Sequence, residues 1–269
     1  MDKNKKYQTS DLVIIFLAFI IIQLILGVIS YKLLANYNLT WLQTSLVTCL
    51  TFSLIIYWQL NSKQVAIKSY FTNPTLPSFQ LVGLLLAGLG LSIILSEVNN
   101  IIHCLFPLPK SAIKQINQLM TAKTNFLASG IILVVASAII KEFFFRGLIL
   151  QGLLANYTWK KAAAFTILLQ LIMNFSFYHI IGTFTLSLLL NWLYLKSKSL
   201  VLCIVGNIFY LTIPYLFLYH LPFKISGYNT KLTLSGQFQP LWFNLLGILL
   251  FGLGAFILTN TLSNHRATR

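Results

Sequence analysis

Eight long apolar runs dominate this sequence, at residues 12–30, 41–60, 79–98, 126–154, 162–181, 183–195, 200–218 and 241–259. A helix needs about 20 apolar residues to cross a bilayer, and inside lipid the backbone must satisfy its own hydrogen bonds. The expected fold is therefore all-α, a polytopic bundle of about eight membrane helices. Composition agrees, since 57% of residues are hydrophobic and only 9% charged, against about a quarter charged in a soluble domain. The fifth and sixth runs are barely separated, which suggests a tight helical hairpin with Gly182 in its turn. The chain shows no internal repeat and no matched pair of glycine-broken helices, which weakens a transporter reading.

The remaining charges suggest a topology. The chain has 19 Lys and Arg against four Asp and Glu, a net charge of +15. No basic face or nucleic-acid motif accompanies this excess, so no nucleic-acid partner is expected. The lysines lie between apolar runs, as in loops facing anionic lipid. With the N-terminus in the cytoplasm, that side holds eleven Lys and Arg, and the opposite side holds six: Lys32, Lys110, Lys114, Lys123, Lys224 and Lys231. This bias favours both termini inside. The expected location is a bacterial plasma membrane, with the basic start and first apolar run acting as an uncleaved anchor. Cys49, Cys104 and Cys203 show neither paired nor metal-type spacing. Residues 111–120 read equally as a short interfacial amphipathic helix or as a solvated loop, and residues 222–240 as a polar loop.

Four acids are present, Asp2, Asp11, Glu97 and Glu142. The first two precede the first run, and Glu97 ends the third, where water is within reach. Glu142 is different, because it lies inside "SAIIKEFFFRGLILQG", residues 137–152, with Lys141 and Arg146. A charge at the centre of a span costs about 2.5–3.5 kcal/mol on insertion scales, so these groups must pair or face a wet cavity. Glu142 and Arg146 are neighbours at i and i+4. They fit either a buried ion pair that fixes helix packing or part of a functional site. Lys141 points about 100° away, although its long stem can bend. Two further polar clusters follow, one ending at His179 with Asn174, Ser176 and Tyr178 before it, the other holding Gly206 and Asn207 in the seventh run. His179 and Asn207 also have bland readings, as a satisfied histidine at a helix end and as interhelical glue.

Taken in order, these clusters resemble the CPBP (CAAX protease and bacteriocin-processing, or Abi) family of intramembrane proteases. Its first motif, E-E-x-x-x-R with a following Gly, aligns with Lys141–Gly147. Its second, F-x-x-x-H, aligns with Phe175–His179, and its third, H-x-x-x-N, with Asn207–Leu211. The likeness covers roughly residues 130–215. It divides the chain into N-terminal helices and a loop (1–125), a protease-like core (126–221), and a loop with a last helix (222–269). The resemblance implies a water activated by glutamate and histidine, an oxyanion held by the third motif, and a membrane protein or peptide as substrate or partner. Carried over, the site residues are Glu142, His179, Arg146 and Asn207. Lys141 stands at the first Glu, Asn207 at the third-motif His, and Leu211 at its Asn, so activity is expected to be reduced or lost. The alternative is a pseudoprotease that binds a membrane partner without cutting it, as in bacteriocin immunity or regulation. A zinc site needs three or four ligands, and Glu142 with His179 supply two. His103 and His220 lie in or beside loops, and no metal or cofactor is expected.

Overall fold

The computed structural model describes residues 7–34, 40–71, 77–119, 134–174, 179–220, 223–233 and 236–267. Among them every regular element is helical. Helices α1 (Thr9–Leu34) and α2 (Thr40–Lys63) lead through a 3-10 turn at Ile67–Tyr70 to α3 (Ser78–Leu105) and the short α4 (Lys110–Leu119). Helix α5 covers residues 134–154; it is α-helical to Glu142, π-helical over Phe143–Leu150 and α-helical again over Gln151–Leu154. There follow α6 (Trp159–Asn174), α7 (Ile180–Ser197), α8 (Leu200–His220) and α9 (Leu241–Ala267).

Among the described residues, four segments are long and apolar enough to cross a bilayer: Thr9–Leu33, Ser78–Leu105, Ile180–Ser197 and Leu241–Leu262. The chain is a multi-pass membrane protein. The other four expected spans are helical where described, each with a feature that weakens it as a uniform span. Helix α2 dilutes its apolar residues with Thr44, Ser45, Thr48, Thr51 and Ser53. Helix α5 leaves regular α-geometry after Glu142, α6 has 16 residues, and the apolar part of α8 is the shorter Leu200–Ile213. The outer faces match a hydrocarbon solvent. Val13, Leu17, Ile21, Leu24 and Val28 of α1 are all exposed, an apolar stripe of the kind that marks membrane contact.

Gly182 is not in a turn. It is buried inside α7, where an added Cβ would lie 3.6 Å from the Tyr210 hydroxyl and 3.8 Å from Leu95 Cδ1. Glycine in a membrane helix commonly serves close packing rather than chain reversal. The step from α6 to α7, residues 175–178, lies outside the described residues. The turn from α7 to α8 is short. Lys198 takes the left-handed conformation (φ 54°), its N–H donates to Tyr194 O at 2.8 Å, and Ser199 Oγ accepts from the Leu202 N–H at 3.3 Å. This pairs an αL helix stop with a serine N-cap.

By its contacts the chain divides into two compact units, residues 1–74, 132–175 and 183–204 in the first, and 75–131, 176–182 and 205–269 in the second. In the first, α1 packs on α2 through Phe19 and Phe52, ring centroids 5.1 Å apart. Gln23 bridges the same seam, donating to Thr48 Oγ1 at 3.3 Å and accepting from Thr51 Oγ1 at 2.7 Å. Tyr7 ties the start of α1 to the end of α5. Its N–H donates to Gly152 O at 3.1 Å, its carbonyl accepts from Asn156 Nδ2 at 2.8 Å, and its hydroxyl donates to Gln59 at 3.1 Å. Burial, with Tyr70 and Asp11 adding to it, pushes the Tyr7 phenol well above its ordinary pKa, so it remains a neutral donor.

In the second unit, α3 and α9 meet along small residues. A Cβ on Gly90 would strike the Phe251 amide nitrogen and lie 2.5 Å from Gly247 O. One on Gly254 would strike the Ala87 nitrogen and lie 2.7 Å from Gly83 O. This is small-residue packing, in which backbones approach because no side chain intervenes. Residues 111–119 are helical rather than loop, with Ile113 buried and Lys114 exposed. The segment 223–240 is non-helical where described and is held by side chains. Glu97 Oε2 accepts from Asn100 Nδ2 and from the Gln239 N–H, both at 2.9 Å. Asn100 Nδ2 also donates to Gly227 O at 2.9 Å, and the Asn117 amide exchanges two hydrogen bonds with the Leu232 backbone, at 3.0 and 2.8 Å.

Candidate membrane-embedded polar site

Glu142 closes the α-helical part of α5 (φ −66°, ψ −40°), and the π-helix starts at the next residue. Stretches of π-helix are rare and occur often at functional positions. The three phenylalanines between Glu142 and Arg146 pack this part of the helix. Phe144 and Phe145 lie 4.9 and 5.7 Å from Phe52 of α2. Phe143 lies 5.4 Å from Tyr70 and 5.9 Å from Phe71. With that face occupied by rings, Glu142 and Arg146 share the interior.

Both are fully buried, at 0% exposure, and joined by Arg146 Nη1 to Glu142 Oε1 at 3.1 Å. Arg146 Nη2 donates to the Ser187 carbonyl at 3.2 Å and to its hydroxyl at 3.1 Å. That hydroxyl donates in turn to Gln170 Oε1 at 2.7 Å. The chain of bonds therefore runs from α5 through α7 to α6. Asn191 adds a second tie between the last two, donating to Ala163 O at 3.4 Å. Cys203 of α8 is fully buried and within electrostatic reach of Glu142 and Arg146; its thiol donates to Leu190 O at 3.5 Å. A desolvated ion pair is costly unless its remaining polar atoms are also bonded; Ser187 does this for Arg146 Nη2, while the buried Arg146 Nε has no hydrogen-bond partner among the described residues. Ser187 and Gln170 were not singled out from the sequence. Their one signal is to be a hydroxyl and an amide deep within largely apolar stretches of α7 and α6, which they share with Thr183, Thr185, Asn191 and Thr166.

Lys141 is half-buried and makes no ion pair among the described residues. It lies within electrostatic reach of Glu142 and of Cys49 on α2. Of the residues expected to act together, the structure brings Glu142 and Arg146 into contact in the first unit. His179 and Asn207 belong to the second. His179 is exposed and leads into α7. Asn207 is buried in α8, at 4% exposure, with Leu211 one turn later. Phe175–Tyr178, the rest of the second motif, lie outside the described residues. His103 is not in a loop, because α3 continues past it to Leu105 and buries it; the apolar residues of its last turns extend the helix beyond the expected end at 98. Among the described residues no three His, Cys, Asp or Glu side chains gather as a metal-ligand set.

With this geometry in view, the comparison with known families is specific. The segment 123–213 matches the family model described as type II CAAX prenyl endopeptidase Rce1-like. Residues 123–213 are an Rce1-like region. No curated protein and no solved structure matches the chain. The Rce1-like region contains all four carried-over site residues, Glu142, Arg146, His179 and Asn207, together with Ser187, Gln170 and Cys203.

Proposed function

We propose that this CAAX-protease-like membrane protein has reduced or lost the hydrolytic chemistry of its likeness, and that it holds a membrane peptide or membrane-protein partner without efficient cutting. The observation that carries this reading is the state of Glu142. It has no exposure and is bonded to Arg146, which is itself anchored on Ser187. A carboxylate serving as counter-ion to a buried guanidinium is poorly placed to take a proton from water, since opposite charge at this distance favours its ionised form. Lys141, in place of a second acid, adds positive charge beside it. Immunity to a bacteriocin, or control of a membrane regulator, are roles such a binder would fill.

The alternative is an active endopeptidase in which Glu142 and His179 activate water and Asn207 donates to the oxyanion. What favours it is the buried amide of Asn207, because a donor in a dry site acts strongly on developing charge. Purified protein in lipid, given a panel of prenylated CAAX peptides and a bacterial membrane proteome, separates the two. Cleavage no higher than in Glu142→Gln and His179→Ala is expected. Cleavage by the wild type that both variants abolish while remaining folded would establish the endopeptidase instead.

A further inference from the structure

Four lysines gather at one end of the second unit. Gly247 of α9 lies against Ile93 of α3, and Gly254 against Gly83 and Ala87. The two helices are therefore antiparallel, and the last turns of α3 meet the start of α9. There α3 stops at Leu105 and α9 begins at Leu241, the ends of two segments able to cross a bilayer, so the edge of the hydrocarbon falls at this end. Phe106 and Trp242, beside those helix ends, are exposed, and aromatic side chains collect at membrane–water interfaces.

Just past this edge, Lys110, Lys114 and Asn117 of α4 stand at i, i+4 and i+7, which places them on one face. Both lysines are exposed, while Ile113 is buried. Asn117 exchanges its two hydrogen bonds with the Leu232 backbone, which sets the exposed Lys231, one residue earlier, beside that face. Lys224 is presented by a clasp: Asn229 Oδ1 accepts from the Ile225 N–H at 2.6 Å, and its Nδ2 donates to Phe223 O at 3.0 Å, leaving Lys224 exposed between them. The same loop is fixed to the last turns of α3 where Asn100 Nδ2 donates to Gly227 O. None of the four lysines makes an ion pair among the described residues. The one acid in the sequence of this unit, Glu97, is turned to Asn100 and to the Gln239 N–H.

We propose that α4 and residues 223–233 form a binding surface for anionic phospholipid, with Lys110, Lys114, Lys224 and Lys231 engaging the headgroup phosphates. Clusters of four or more basic residues beside a membrane span attract anionic lipid, each adding about fivefold in affinity. Lysine binds phosphate as a point charge, without the fixed fork of arginine, which suits a fluid headgroup layer. The lysines follow the apolar span ends and their aromatic collar directly, so they lie at headgroup depth, and this favours lipid over an acidic protein as the occupant. The surface is a local one, defined by two tethered segments, and goes beyond the general excess of positive charge. It depends neither on the Rce1-like reading, whose buried ion pair belongs to the first unit, nor on which side of the membrane this end faces.

The test uses the full chain in detergent, titrated with phosphatidylglycerol or with phosphatidylcholine and read by native mass spectrometry as lipid retained. Tighter binding of phosphatidylglycerol is expected, with a preference that falls as ionic strength rises. Lys110→Gln, Lys114→Gln, Lys224→Gln and Lys231→Gln together should weaken phosphatidylglycerol at least about tenfold and leave phosphatidylcholine unchanged. The same substitution at Lys68, Lys160, Lys161 and Lys196, exposed lysines of the first unit, removes equal charge and should weaken it less. No preference in the wild type, or an equal loss in the two quadruple variants, overturns the proposal. So does a short poly-glutamate peptide that binds through the four lysines more tightly than the lipid, an outcome that would assign the surface to an acidic protein. Should the first quadruple variant fail to fold, Lys110→Gln with Lys114→Gln and Lys224→Gln with Lys231→Gln are measured as separate pairs, and wild-type affinity in both overturns it.

Discussion

Arg146 meets three oxygens with its two terminal nitrogens, one on Glu142 and two on Ser187. Removing the acid leaves a buried guanidinium without its charge partner, and breaking a buried pair in this way costs about 3–5 kcal/mol. Glu142→Gln is therefore expected to lower the thermal midpoint in detergent clearly, whatever its effect on activity. Ser187→Ala removes a hydroxyl that both accepts from Arg146 and donates to Gln170 but keeps the carbonyl contact, so a smaller loss of about 1–3 kcal/mol is expected. Equal stability of Ser187→Ala and wild type in the same assay would contradict the network. The pair itself was legible in the sequence, because i,i+4 spacing on a helix is a geometric statement. Ser187 was not, since it lies 41 residues from Arg146 and only the packing of α5 against α7 brings them together.

The helices were legible as apolar runs, and their limits less so. The shift to π-geometry after Glu142 leaves no mark in a run that is apolar apart from Lys141, Glu142 and Arg146, and Gly182 gave the signal of a turn while filling a packing role in α7. The glycines of α3 and α9 show a related limit. Small residues are visible in the sequence, but which ones face each other depends on a register that only the folded pair fixes. Because the seam is backbone against backbone, added bulk is expected to separate the helices. Gly90→Val and Gly254→Val should each reduce the yield of monodisperse protein and destabilise by about 1–3 kcal/mol or more. Gly252→Ala, with nothing within 4 Å of an added Cβ, should behave as wild type. A tolerant Gly90→Val would show that the two helices are not in this register.

For the molecule as a whole, the charge bias gives the strongest expectation. Eleven Lys and Arg on one side of the expected topology and six on the other are the ground for expecting both termini in the cytoplasm. On a background without native cysteines, a single cysteine at Lys231 should then react with an impermeant maleimide added to intact cells, and one at Lys161 only after permeabilisation. The reverse pattern would invert the topology and place residues 223–240 on the inner side. The seam between α3 and α9 has a further consequence for anyone recombining this protein with a relative. With peptide planes touching and no side chains to re-sort, neither strut of that truss can adapt to a new neighbour. A chimera that exchanges only one of them should be rejected by the cell's quality control, whereas one that transplants both should assemble.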